Sequence, residues 1–161
     1  MRRPAPTLPS LLAACACTAI AGCGDGGEQT ALSRSGFLTR ADAICRQTQR
    51  QFDQIQRTAT STPGQAERQV EALIDVSNQA LSSLQSLDAP APLRPAYERY
   101  LSARERAIGY LEDGRDAAAA RDPQAYLAAK RKVSSDQATR LQLARTVGLE
   151  DCSRPSLTLG D

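Results

Sequence analysis

Histidine and tryptophan are missing from this chain, and its one methionine is the first residue. Without histidine there is no His-ligated zinc, no imidazole acid–base catalyst and no Ser-His-Asp triad. Haem held by His or Met goes too, as does a four-helix di-iron centre, which needs Glu-x-x-His pairs. Aromatic residues make up only 4% of the chain, so its core has to be built from Leu, Ile, Val and Ala. Helix packing accepts such a core more readily than a β-sandwich, whose strands favour aromatic and β-branched residues. Charge of one sign is also scarce. The formal net charge of +2 comes from Arg2 and Arg3; beyond them 18 basic residues face 18 acidic ones. That balance lacks the basic footprint of a nucleic-acid binder, so no nucleic-acid partner is expected.

What is present describes one ordinary globular domain. The 161 residues are 41% hydrophobic and 24% charged, a balance that can bury a core. Residues 1–22 follow signal-peptide grammar, with Arg2 and Arg3 ahead of an apolar-leaning run from Leu8 to Ala21. The run contains Pro9 and falls short of the ~20 residues a spanning helix needs. It ends in Ile20-Ala21-Gly22-Cys23, which resembles a bacterial lipobox at all four positions. The resemblance implies cleavage before Cys23, a lipid on that cysteine, and a chain anchored on the extracytoplasmic face of the cell membrane. An ordinary secretory peptide with Cys23 incidental is the plainer alternative. Two or more acyl chains hold a protein firmly, since each buried methylene adds ~0.8 kcal/mol. The Gly-rich stretch after Cys23, up to residue 34, has no periodicity and is expected to be a flexible tether reaching roughly 18 Å.

Five cysteines divide by position. Cys15 and Cys17 lie in the leader, Cys23 is the lipidation candidate, and Cys45 and Cys152 remain. An even pair in an oxidising compartment defaults to a disulfide. A redox pair is the rival reading, but no Cys-x-x-Cys is present to activate a thiol.

Helical periodicity fills the remainder, with expected helices at about 35–59, 62–88, 93–121 and 122–148. The first starts near Ser35 and buries one stripe through Phe37, Ala41, Ile44, Thr48, Phe52 and Ile55. Thr62, Pro63 and Gln65 form an N-cap, a first-turn proline and a capping box for the second. Its stripe runs through Val70, Leu73, Ser77, Ala80, Leu84 and Leu87 until Pro90 and Pro92 end it. The third places Tyr97, Leu101, Arg104, Ile108 and Leu111 on its inner face. Asp122-Pro123 opens the fourth, whose stripe is the weakest and has polar Gln137 in an inner slot. Gly148-Leu149 closes that helix. Short turns between such helices predict an all-α, up-down-up-down four-helix bundle over residues 35–152, with a tail at 153–161. In that topology Glu150-Asp151-Cys152 folds back along the first helix towards Cys45.

Ala41-Asp42-Ala43-Ile44-Cys45, matched by Gly148-Leu149-Glu150-Asp151-Cys152, resembles a pattern in small helical lipoproteins of high-GC Gram-positive bacteria. There an early A-D-A-I-C is similarly paired with a late G-L-x-x-C. The resemblance implies fold and location, and brings no activity, ligand or catalytic residue.

Three groups of residues stand out as candidate sites. Tyr97, Tyr100, Arg104 and Tyr126 could line a ligand pocket between helices three and four, or be amphipathic tyrosines with hydroxyls turned outward. Lys130-Arg131-Lys132 could touch anionic headgroups, but three charges fall short of the usual ~4–8 and a solvated face explains them. Glu112-Asp113 and Glu150-Asp151 could bind a divalent cation, yet neighbours on a helix do not converge. No metal, cofactor or catalytic constellation is expected. The sequence therefore points to a non-enzymatic envelope lipoprotein that docks a protein partner, or alternatively to a small-ligand or sensory bundle.

Overall fold

The computed structural model of the chain describes residues 32–155. The expected signal peptide, Cys23, most of the tether and the end of the tail lie outside the described residues. Four α-helices follow one another: α1 (Arg34–Gln56), α2 (Pro63–Gln85), α3 (Arg94–Ala119) and α4 (Pro123–Val147), with a 3-10 turn at Asp151–Ser153. They form an up-down-up-down bundle closed by the Cys45–Cys152 disulfide, with no strand among the described residues. None of these helices is long and apolar enough to cross a membrane.

Helix ends follow local chemistry. Ser33 rather than Ser35 caps α1, its hydroxyl accepting from the Gly36 N–H at 3.1 Å, so Arg34 belongs to the helix and not to the tether. At the far end Gln69 donates to the Ile55 and Thr58 carbonyls (3.1 and 2.8 Å), which stops α1 three residues before the expected 59. Thr62 and Gln65 make the full capping box on α2. That helix also ends early, at Gln85, because the Leu84 carbonyl is taken by the Leu87 N–H and by the Tyr97 hydroxyl. Asp122 caps α4 by accepting from the Gln124 and Ala125 N–H groups, both at 3.0 Å.

Helices α3 and α4 both end in Schellman turns. After α4 the Leu149 N–H reaches the Ala144 carbonyl and the Gly148 N–H the Arg145 carbonyl, and Gly148 takes the left-handed conformation this requires (φ 94°). After α3 the same pair of bonds forms, but the left-handed position is filled by Arg121 (φ 56°). A residue with a Cβ is strained there by about 1–2 kcal/mol.

The core is uneven. Phe37, Leu84, Tyr97, Tyr100, Val147 and Leu149 pack at the end where α1 begins, with Phe37 and Tyr97 edge to face at 4.8 Å. A second cluster of Val70, Ile74, Leu81 and Ile108 fills the space between α2 and α3. The expected stripe of α1 is buried only in its first half. Phe37, Ala41 and Thr48 are covered, and in place of the expected Ile44, which is half-buried, its neighbour Cys45 is buried; Phe52 and Ile55 are half-buried. In α4 the mid-helix residues Val133, Gln137 and Leu141 are likewise only half-buried. The cause is one missing contact: α2 packs on α1, α3 on α2, and α4 on α3, but no Cα of α4 comes within 8 Å of α1.

Candidate functional site

Four-helix bundles hold neighbouring axes about 8–10 Å apart. The seam between α1 and α4 is wider, and at one end the 3-10 turn is wedged into it, touching both helices. Three positions on one face of α1 hold that turn. Asp42 accepts the backbone N–H groups of Glu150, Asp151 and Cys152 at 3.3, 2.9 and 3.5 Å. Cys45 forms the disulfide, its Cα 5.1 Å from that of Cys152. Arg46 pairs with Asp151, which also meets Arg154 at 3.4 Å. Residues i, i+3 and i+4 share a helix face, so Asp42, Cys45 and Arg46 act together.

Beyond the wedge the seam stays open and becomes a cleft floored by α3. Its larger chamber has a volume of about 110 Å³. Phe52 and Gln56 line it from α1, Leu73 and Ser77 from α2, Arg104, Ala107, Ile108 and Leu111 from α3. From α4 come Lys130, Val133, Ser134, Gln137 and Arg140. A smaller chamber of about 50 Å³ continues towards the disulfide and shares Phe52, Arg104, Gln137 and Arg140 with the first. For scale, a dry cavity of about 150 Å³ admits benzene.

The larger chamber is lined by three cationic side chains and no carboxylate. Arg104 donates to the Tyr100 hydroxyl at 2.9 Å and approaches Cys45 Sγ at 3.9 Å, with no carboxylate partner among the described residues. Arg140 donates from Nε to Asp136 at 3.0 Å, but Asp136 is shared with Arg106 at 2.8 Å. Burial pushes the Arg140 guanidinium below its ordinary pKa; Asp136 pulls it back up and Arg104 adds repulsion. An arginine does not release its proton in a protein, so this unfavourable balance is carried as charge held in a poorly compensated place. On the α1 wall Gln56 Oε1 is buried without a hydrogen-bond partner among the described residues.

The structure separates the four residues expected to share a pocket between the third and fourth helices. Arg104 lines both chambers and Tyr100 the smaller one; α3 and α4 supply most of the larger chamber's lining, and α1 and α2 complete it. Tyr97 is a core residue, 3% exposed, donating to the Leu84 carbonyl at 2.8 Å. Burial raises its pKa, with help from nearby Tyr100. Tyr126 packs on the α2–α3 cluster and edges a separate apolar notch with Pro63, Ala66, Ala117 and Ala118. The basic run is divided as well: Lys130 faces the cleft, while Lys132 pairs with Asp113 at 2.9 Å and covers the Tyr110 ring. Asp151 is engaged in the clasp, and no group of three or more potential metal ligands exists among the described residues.

Sequence reasoning missed Gln56, Lys130 and Arg140 as cleft residues. Their signal was present as polar or charged residues at inner helical positions, of which only Arg104 and Gln137 were recognised as inner. Compared with protein-family models, with curated proteins and with solved structures, the chain gives no match.

Proposed function

We propose that this chain is a lipid-anchored extracytoplasmic module that binds a small molecule in the cleft between α1 and α4. The observation that carries the binding half is a preformed, cation-lined cavity reached through a seam that the bundle leaves unclosed. Small-molecule sites are concave, mostly apolar and supplied with a few convergent polar groups, and this cleft has all three properties. The anchoring half is supported by the leader and by Ile20-Ala21-Gly22-Cys23. The pattern shared with helical lipoproteins of high-GC Gram-positive bacteria supports the same location.

A thermal-shift screen with small anions and envelope metabolites tests the binding half. A raised melting temperature with at least one compound is expected, and a flat response across the panel counts against a ligand site. Replacing Cys23 with Ala should move the protein from membrane to medium; retention in the membrane fraction overturns the anchor.

Docking of an envelope protein is the second reading, and one observation favours it. The apolar notch at the start of α2 lies at the end of the bundle away from the α1 N-terminus, and Leu127 is left 51% exposed on α4. Crosslinking in intact cells should then capture a partner, whereas recovery of the free protein alone argues against docking.

A further inference from the structure

We infer that the cleft takes a compact organic carboxylate, its charged end gripped by Arg104 and Arg140 and its apolar body laid against Ile108, Leu111 and Val133. This rests on the ligand-binding reading and gives it a chemical class. A guanidinium carries five N–H donors in a fixed fork that matches a carboxylate. In Arg104 that fork meets one hydroxyl and one sulfur, and no carboxylate. Arg140 has half a share of Asp136, whose other oxygen serves Arg106. Both guanidinium groups line both chambers, so they sit at the waist of the cleft and repel each other. A single anion between them would compensate both charges.

The walls decide what kind of anion. Beyond the waist the larger chamber is bounded by Leu73, Ala107, Ile108, Leu111 and Val133. A bare phosphate or sulfate would leave those walls against water. A ligand with an apolar body removes that water and gains roughly in proportion to the apolar area covered. The two chambers, of about 110 and 50 Å³, limit the whole ligand to one ring or a short chain beside its carboxylate. Lys130 at the outer rim adds to the field that draws an anion in.

Calorimetric titration of the full chain with 3-phenylpropanoate, 3-phenylpropanamide and inorganic phosphate tests the class. The acid should bind about ten- to hundredfold more tightly than the amide, the range expected for charge-assisted hydrogen bonds. Arg104→Gln keeps a donor for Tyr100 and should bring the acid down to the amide's affinity, with helicity by circular dichroism confirming the fold. Arg140→Gln should do the same, which keeps the test decisive if one variant fails to fold. Equal binding of acid and amide overturns the carboxylate while leaving a ligand cleft in place. Phosphate binding as tightly as the acid overturns the role of the apolar walls. Binding of neither organic compound, together with a flat screen, removes the ligand reading itself.

Discussion

Asp42 is the residue on which the wedge depends, and its removal makes a sharp test. The carboxylate caps three successive N–H groups of a segment more than 100 residues away in the chain, at 3.3, 2.9 and 3.5 Å. The bond to Asp151 is well within the normal range, and the other two are long. Hydrogen bonds to a charged group contribute about 1.5–3 kcal/mol, and three donors of such unequal length are best counted as about 2. The disulfide hides part of this, because it keeps Cys152 near Cys45 even when the cap is gone. The place to read it is therefore the reduced protein.

With the disulfide reduced and the helices intact, alkylation of Cys152 reports local opening of the wedge. Asp42→Ala should accelerate alkylation about 30-fold, since about 1.4 kcal/mol is a factor of ten. Asp42→Asn retains an oxygen for the Asp151 N–H and should fall between Ala and native. In the oxidised protein Asp42→Ala should lower the melting temperature by less than the about 6–10 °C that the full effect would give at roughly 3–5 °C per kcal/mol, because the disulfide hides part of it. Alkylation within about twofold of native, with helicity unchanged, would refute the capping role and leave the disulfide and the Arg46–Asp151 pair as the fasteners.

Replacing Cys45 and Cys152 together with Ser should lower stability to urea by up to ~4.7 kcal/mol, the loop-closure value for a loop of roughly this length. Phe37→Ala empties a site with 0% exposure and breaks the edge-to-face pair with Tyr97, so about 3–5 kcal/mol should be lost in the same assay. The two left-handed turn positions should respond oppositely: Gly148→Ala destabilises and Arg121→Gly stabilises, each by about 1 kcal/mol, measured as a shift in the urea midpoint. Burial raises the Tyr97 pKa above its ordinary value of 10.0, so its contribution is complete below that pH and is lost as pH climbs past it. Melting temperature should drop more steeply above about pH 10 in the native protein than in Tyr97→Phe, and parallel curves would contradict this.

The bundle was legible because its signals are local. Thr62-Pro63 with Gln65, Asp122-Pro123 and Gly148-Leu149 state helix ends within a few residues, and short turns then leave little choice of topology. The Cys45–Cys152 bond is legible from counting cysteines together with the expected oxidising compartment. What stayed hidden is non-local. Nothing near Asp42 in the sequence announces that its carboxylate serves residues 150–152. Nor does periodicity say which pairs of stripes meet. Phe52 and Ile55 continue the apolar pattern of α1, yet no α4 backbone closes over them. The α4 stripe is the weakest of the four because Gln137 and Arg140, between Val133 and Leu141, form the wall of a cavity.

That cavity and the disulfide answer the same structural problem. A helix whose backbone meets one neighbour only is poorly held: among the helices α1 comes within 8 Å, Cα to Cα, of α2 alone, and it reaches α3 and α4 through side chains of its first half such as Phe37. Bringing α4 against α1 would bury Arg104 and Arg140 face to face, and the several kcal/mol of desolvation per buried ion would be offset only in part, by the one Asp136 oxygen on Arg140, with no carboxylate paired to Arg104 among the described residues. The seam therefore cannot close by apolar packing while those two arginines stand on its floor and wall. Fastening α1 at its first half, through Asp42, Cys45 and Arg46, fixes the helix without requiring closure further along. The arginines keep the cleft open, and the clasp makes an open cleft compatible with a stable bundle.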